Sequence, residues 1–448
     1  MEPVRVLLIA TYEMGRQPFG LASPAAWLRA AGHEVTAVDL SRSVLPRQAV
    51  AEAGLIAFYL PMHTATRLAI QAMERVRRVN PRAHVCCYGL YAPLNEEFLR
   101  TQGARTILGG EFEQGLVDLA RRLDKNGTGP QLEPVVSLDR QLFLAPDRVG
   151  LPGLGGYARL VVNGRSRSAG YTEASRGCKH LCRHCPIVPV YNGLFRIVQK
   201  DVVLEDIRRQ VAAGAGHITF GDPDFFNGPG HAIPIVEALH EEWPWLSYDV
   251  TIKVSHLLKH RDLLGILKGT NCAFVTSAIE SLDDEVLGKL DKGHTRADFL
   301  EAAAMMREIG LPLAPTFIPF HPWTTMESYR GFLRALVEAD LHAQIAPIQL
   351  AIRLLIPEGS LLLELPEIRR LVGLFDARAL SYPWRNPDGA LDVLCGKIQE
   401  TIKREEKRRT GRGEIFRQIW ELAGNGAFPD VPMVSRATIP YLTEPWYC

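Results

Sequence analysis

The sequence is short of net charge. Its 51 Lys and Arg against 50 Asp and Glu leave +1. It therefore lacks the basic surplus with which general nucleic-acid binders displace counterions, and nucleic acid is not an expected partner. It also lacks a long apolar run. No stretch approaches the roughly 18 residues that a membrane-spanning helix needs, so no membrane association is expected. The first apolar stretch, Val4–Ala10, soon gives way to polar residues, which reads as a β-strand and not a signal peptide. Cysteine is scarce as well. Eight in 448 residues are too few for a disulfide scaffold, and the expected location is a reducing cytoplasm. Internal repeats and low-complexity tracts are missing. What is present is an ordinary globular composition, 47% hydrophobic and 23% charged, in a chain long enough for about two to four domains.

Residues 1–125 alternate strand and helix. Strands are expected at Val4–Ala10, Glu34–Leu40, Gly54–Leu60, Ala83–Tyr88 and Thr106–Leu108. Helices are expected at Ser23–Ala31, Thr64–Val79, Asn95–Gln102 and Glu113–Leu123. This alternation predicts an α/β, doubly wound, Rossmann-like domain whose ligand loops lie beyond the carboxyl ends of the strands. Residues 126–168, with their Gly, Asn and Pro, read as a linker. Alternation resumes over 169–360, with strands at Tyr171–Ala174, His217–Phe220, Ser247–Thr251, Ala273–Ser277, Pro312–Ile318 and Ala346–Leu350. The intervening helices include Val202–Ala213, Ile233–Glu241, Leu257–Lys268 and Arg296–Ile309. Such βα units predict a full or partial (β/α) TIM-type barrel with its active site at the strands' C-terminal ends. Residues 361–448 read as a mainly helical C-terminal region, with Lys403–Arg409 a solvated helix face.

The densest chemistry follows the first barrel strand. Cys178, Cys182 and Cys185 are spaced C-x3-C-x2-C. Three thiolates on one tight loop suit a soft metal or three irons of a cluster. A closed zinc site would want a fourth ligand, which His180 or His184 could supply. Without a fourth protein ligand, a cluster keeps one iron open for a substrate or cofactor. The remaining cysteines, among them Cys86, Cys87, Cys272 and Cys395, read as buried structural thiols.

The motif resembles that of the radical SAM enzymes, and its place at the first strand of a βα barrel agrees. The resemblance implies a [4Fe–4S] cluster on Cys178, Cys182 and Cys185. Its open iron chelates S-adenosylmethionine, which is cleaved to a 5′-deoxyadenosyl radical. It implies a flavodoxin- or ferredoxin-type electron donor. Members usually carry an aromatic residue before the third cysteine, where this chain has His184. Further likeness extends over about 170–360. Gly221, Asp222 and Pro223 end the second strand where the family places a turn against the methionyl amine. Glu280, within Ser277-Ala278-Ile279-Glu280-Ser281, takes the carried-over role of accepting from the ribose hydroxyls. Ser255 and Arg353 are further candidates to face S-adenosylmethionine, Arg353 through the fork geometry that suits a carboxylate.

A doubly wound domain before such a barrel resembles a cobalamin-binding domain. The resemblance points to the loops holding Pro61, Thr64, Gly89, Gly109, Gly110 and Glu111. The loop after the first strand, Thr11–Gly20, lacks the histidine that caps cobalt in many such domains. The stretches Ile279–Thr295, Phe320–Thr325 and Thr443–Cys448 resemble the radical SAM family named for a Cys-Cys-Ala-Glu-Pro or Cys-selenocysteine-Ala-Glu-Pro tail. That resemblance implies that Cys448 precedes a selenocysteine encoded by UGA, with a redox, ligand or nucleophilic role for the pair. The expected activity is cobalamin-dependent methyl transfer to an unactivated carbon or a phosphinate phosphorus of a small molecule or peptide. Cobalamin-independent rearrangement, epimerisation or C–S bond formation is the alternative within the class, and a non-catalytic zinc- or cluster-binding sensor is the alternative outside it.

Overall fold

The computed structural model describes residues 4–125, 130–431 and 439–443. The N-terminal sheet has six parallel strands, β1 (Arg5–Ala10), β2 (Glu34–Asp39), β3 (Leu55–Tyr59), β4 (His84–Tyr88), β5 (Thr106–Gly110) and β6 (Val136–Ser137), in the order β2-β1-β3-β4-β5-β6. β3, β4 and β5 are buried along their whole length. That is what helices on both faces of a parallel sheet require, and each face has its own apolar core. The strand order reverses between β1 and β3, so the switch-point crevice lies beside Ala10 and Tyr59, which pair across the two strand ends.

The second sheet curls. Its parallel part runs β8 (Arg165–Thr172), β11 (His217–Phe220), β12 (Ser247–Thr251), β13 (Cys272–Glu280) and β14 (Leu313–Phe317). On the outer edge of β8 lie the antiparallel β7 (Arg159–Val162) and then β15 (Tyr441–Leu442). A small pair, β9 (Ser175–Gly177) with β10 (Phe195–Ile197), flanks the cysteine loop. Neither end of this sheet closes on the other, so the barrel is partial. The sixth expected strand, Ala346–Leu350, is instead a 3₁₀ turn over Pro347–Leu350. Pro347 brings no N–H for a ladder. The side chain of Gln349 accepts from the Phe317 amide at 3.0 Å in its place.

Two further expectations are corrected. The stretch 126–168 is not simply a linker, because it contains β6, β7 and the start of β8. The β7–β8 hairpin turns on Asn163 and Gly164, both at positive φ, the two-residue turn that Asn-Gly favours. The helix expected over Leu257–Lys268 is two helices, Val254–Lys259 and Leu264–Gly269, broken by a 3₁₀ turn. The C-terminal helices Gly389–Lys407 and Arg412–Leu422 put Leu394, Ile398, Phe416 and Ile419 into the same apolar core as the barrel. No helix among the described residues is long and apolar enough to cross a membrane.

Candidate functional site

The loop that leaves β9 is held from several sides. Gly177 sits at φ +75°, and a Cβ there would stand 2.4 Å from the Tyr191 ring, so the turn into Cys178 requires glycine. Asn227 accepts from the Lys179 amide at 3.2 Å and lies 3.8 Å from Cys178 Sγ. The Arg183 amide donates to the Leu290 carbonyl at 2.9 Å, and Ser360 Oγ donates to the Arg183 carbonyl at 3.1 Å. Cys178, Cys182 and Cys185 are all free thiols. Lys253 Nζ lies 3.6 Å from Cys182 Sγ, while burial pushes the Cys178 thiol up and the Cys185 thiol up to about 12. Free thiols on a rigid turn beside an ammonium are a donor set that fits an iron–sulfur cluster.

Both neighbouring histidines are turned toward carboxylates and not grouped with the thiols. His184 Nε2 is 3.1 Å from Glu280 Oε1, and the His180 ring lies 4.7 Å from that of His256. Glu280 is buried at the end of β13 with φ +69°. Burial alone would raise its carboxyl, but Lys292 and His184 beside it outweigh that and hold it at about 2. The structure therefore places Glu280 between the cysteine loop and Lys292, 3.5 Å away.

The remaining barrel candidates divide. Gly221 must be glycine, since a Cβ would fall 1.8 Å from the Tyr171 hydroxyl. Asp222 accepts from Ser175 Oγ at 2.6 Å and from the Ala174 amide at 2.9 Å, tying β11 to the cysteine loop, and burial pushes its carboxyl up to about 7. Pro223 lines the cleft between sheet and barrel. Ser255 Oγ is buried without a hydrogen-bond partner, the state expected of a ligand-facing hydroxyl. Arg353 is placed otherwise than expected. Its guanidinium bonds Asp392 at 2.6 Å and the Trp384 carbonyl at 2.7 Å and stacks 3.6 Å over the Trp384 ring. Its fork is occupied by the C-terminal region and is not open to a methionyl carboxylate.

No sequence motif marks the buried ion cluster that joins the two sheets. Arg176, just before Cys178, is buried and reaches Glu173 at 2.7 Å, Glu113 at 2.7 Å and Glu111 at 3.2 Å. Phe19, Phe112 and Phe143 surround its guanidinium within 5.7 Å of their ring centres. Glu111 also accepts from the Tyr191 hydroxyl at 3.1 Å, so it braces the interface. Burial pushes its carboxyl up to about 7 despite the arginine.

The other Rossmann candidates divide between a crevice narrowed by Tyr59 and a cavity of about 930 Å³ that Gly109 lines together with Glu111. Tyr59 narrows the switch point. Its ring lies 2.1 Å from where a Cβ on Gly20 would stand and 3.0 Å from one on Gly89. It packs with Tyr88 at 5.4 Å and Phe112 at 6.1 Å. Gly110 sits at φ +68° against the Ser137 carbonyl, and Gly109 lies against Pro93. Pro61 and Gly110 border a cleft of about 230 Å³ between the sheet and the barrel. Thr64 lies in the second turn-residue position of the helix His63–Val79, away from that cleft's lining. Glu13, in the loop after β1, is buried with Oε2 unpartnered, and burial followed by the nearby Glu173 raises its carboxyl well above the usual range.

A larger cavity, about 810 Å³, lies on the inner face of the half-barrel, within the size range of small-molecule sites. Thr219, Asp249, Thr276 and Thr316 line it from the strands, and Arg412 and Tyr441 close it from the C-terminal region. Arg412 sits 4.7 Å over the Tyr441 ring, and burial lowers its pKa. The alternation of inward residues could have suggested the threonines, but nothing in the sequence pairs Arg412 with the barrel. Cys86, Cys87, Cys272 and Cys395 are buried as expected, and Cys448 lies outside the described residues.

Residues 172–336 match the model of the radical SAM superfamily. The chain is 23% identical over 320 residues to hopanoid C-3 methylase from Methylococcus capsulatus, which covers 68% of this chain and 62% of that protein. It thus spans less than two thirds of that relative's length. Among solved structures it resembles the cobalamin-dependent S-adenosylmethionine radical enzyme OxsB with aqua-cobalamin and S-adenosylmethionine bound. That likeness has a TM-score of 0.70 at 14% identity and covers 89% of this chain and 67% of that one. It also resembles the radical S-adenosylmethionine methyltransferase TsrM from Kitasatospora setae, with a TM-score of 0.62 at 17% identity over 81% of this chain and 76% of that one. At these identities the structural likeness establishes a shared fold. The barrel is a radical SAM domain, and that domain brings a [4Fe–4S] cluster and S-adenosylmethionine with it.

Proposed function

We propose that this chain is a radical SAM enzyme that methylates a small molecule held in the half-barrel cavity, with cobalamin as a second cofactor. The observation that carries the radical SAM part is the loop of three free thiols at the end of the first barrel strand, inside the stretch that matches the superfamily. Methyl transfer and cobalamin are supported by the likeness to hopanoid C-3 methylase, OxsB and TsrM. When bound, the cluster would supply the electron that cleaves S-adenosylmethionine to a 5′-deoxyadenosyl radical.

The chain's own residues supply the frame. Cys178, Cys182 and Cys185 would hold three irons. Lys253 sets a positive charge beside one of these sulfurs. Asp222 locks the end of β11 to the loop. His184 and Lys292 hold Glu280 ionised at the end of β13. Ser255, with its unpartnered hydroxyl, is the candidate donor to S-adenosylmethionine. Arg412 gives the cavity a cation for an anionic substrate group.

At the Rossmann switch point the Tyr59 ring packs against Gly20 and Gly89 and narrows the crevice, while a cavity of about 930 Å³ beside Gly109 and Glu111 leaves room for a ligand. The narrowed crevice favours a second reading, radical chemistry without cobalamin. The resemblance at Thr443–Cys448 to the Cys-selenocysteine-tailed family belongs to the proposal too. A codon other than UGA after Cys448 would remove it.

Anaerobic reconstitution tests the conclusion. The loaded protein should absorb near about 400 nm, as thiolate-bound clusters do, and release 5′-deoxyadenosine from S-adenosylmethionine with dithionite. Cobalamin retention on gel filtration separates the two readings. A colourless protein that binds zinc at the three thiols would leave the sensor reading in its place.

A further inference from the structure

Beside the cysteine loop, but built from different donors, stands a second cluster of ligand atoms. His180 lies on the loop itself, Asp224 follows β11, and His256 lies in the helix that follows β12. Each offers one ligand atom, and these atoms all fall within 4.8 Å of one another. Asp224 Oδ2 is 2.7 Å from His256 Nδ1 and 3.6 Å from His180 Nε2. Two donors around an ion at 2.0–2.1 Å are separated by about 2.9–3.4 Å, so the observed spacings bracket that range.

The three atoms contact one another and, among the described residues, have no partner outside the cluster. His180 Nε2, Asp224 Oδ2 and His256 Nδ1 are each buried without a hydrogen bond of acceptable geometry. The side chains of Asp224 and His256 are 2% and 10% exposed. The other carboxylate oxygen of Asp224 accepts from the Phe226 amide at 3.2 Å, which fixes the orientation of Oδ2 toward the imidazoles. An ion held among three converging buried atoms would replace these direct imidazole–carboxylate contacts with three ligand bonds.

The geometry points to a divalent-metal site of the zinc class formed by His180, Asp224 and His256, separate from the three thiols. Two imidazoles and a carboxylate are borderline-hard donors that suit Zn²⁺, whereas the cluster needs soft thiolates. His180, with a side chain 25% exposed, leaves an open side for a water ligand. The ion would pin the cysteine loop to the ends of β11 and β12. It would therefore act as a structural tie for the loop, held whether or not the thiols are loaded.

Metal analysis of the anaerobically reconstituted protein, after equilibration with Zn²⁺ and gel filtration, tests this. The expected result is about one zinc per chain in addition to the cluster iron. His256→Asn keeps a hydrogen-bonding group of similar reach but is a poor ligand, and His180→Gln is a second variant should the first not fold. Either should lose the zinc. Cys182→Ala should lose the iron and keep the zinc, which separates failure of this site from failure of the cluster assignment. Co²⁺ in place of Zn²⁺ should add visible bands in Cys182→Ala that are missing from its His256→Asn double variant. The proposal is overturned by a holoprotein without zinc, by zinc that persists equally in both histidine variants, or by zinc that leaves with the iron in Cys182→Ala.

Discussion

The two parallel sheets of this molecule end their strands in different ways. At the carboxyl ends of the barrel strands, groups are left over. Three thiols are free, the Ser255 hydroxyl is unpartnered, and a cavity of about 810 Å³ opens alongside. At the carboxyl ends of the Rossmann strands most groups are spent. Tyr59 narrows the crevice, Glu111 and Glu113 are bound to Arg176, and the cleft toward the barrel is about 230 Å³, while a cavity of about 930 Å³ opens at the β5–β6 edge beside Gly109 and Glu111. Glu13 is the exception, with one carboxylate oxygen unpaired. Similar topology thus yields free ligand groups at the strand ends of one sheet and a narrowed switch point, with its open space moved to the β5–β6 edge, in the other. The first domain's clearest visible task is to brace the loop on which the second does its chemistry.

Cysteine substitutions should give the widest contrast. Cys182→Ala should abolish iron binding while the far-ultraviolet circular dichroism stays native, because the loop keeps its backbone anchors. Cys87→Ala, in the Rossmann sheet, should leave iron content unchanged and lower the melting temperature slightly, the mark of a small lost packing volume. Iron at parental levels in Cys182→Ala would remove the site assignment.

Next in size is the brace. Arg176→Met leaves Glu111, Glu113 and Glu173 buried without their counter-charge, a change that typically costs about 3–5 kcal/mol. Chemical denaturation should show that loss. Pairing Arg176→Met with Glu113→Gln should recover part of it, since fewer buried charges are then orphaned. A loss below about 1 kcal/mol, the scale of an exposed pair, would mean that the interface is wetter than the structure shows.

Tyr59 tests whether the narrowed switch point can be opened. Tyr59→Ser removes the ring from the switch point. Displacing a buried aromatic side chain into water costs about 1.5–3 kcal/mol, so cobalamin should bind about 10- to 100-fold more tightly to the variant than to the parent. The same change should lower the melting temperature, as a buried large-to-small substitution does. Equal affinity in parent and variant, measured by equilibrium dialysis, would show that the ring is no barrier.

These contrasts also mark how far the sequence could be read. The strands at His217–Phe220 and Ser247–Thr251 are legible because short runs of β-branched and aromatic residues at βα spacing have few other uses. Ala346–Leu350 is a similarly short run at that spacing, yet it holds a 3₁₀ turn over Pro347–Leu350, and periodicity cannot separate the two. The β7–β8 hairpin was marked by Asn163-Gly164 and lost among the surrounding glycines. The three cysteines were readable because their ligand geometry is local. Arg176 with Glu111, or His180 with Asp224 and His256, were not. Their partners arrive from other strand ends, and only the curl of the sheet brings them together. Arg353 shows the converse, a plausible cofactor ligand by position that the C-terminal region has claimed.

The smallest expected effect is the pH dependence of the brace. Glu111 is an acid whose carboxyl is raised by burial to about 7 in the folded protein, while the unfolded chain returns it to the ordinary value near 4.5. Between those two values the unfolded state has released its proton and the folded state has not, so stability falls as pH rises. The contribution is fully present below about 4.5 and is lost on passing through about 7, at up to about 1.4 kcal/mol for each unit of displacement. Glu111→Gln removes this titration and keeps an acceptor for the Tyr191 hydroxyl. Its denaturation free energy should therefore fall less steeply than the parent's across that window. Asp222, raised by burial to about 7 as well, keeps a similar slope in both proteins and serves as the internal reference from the barrel side. Parallel profiles for parent and variant would show that Arg176 holds Glu111 ionised after all, and the brace would then be a fully charged one.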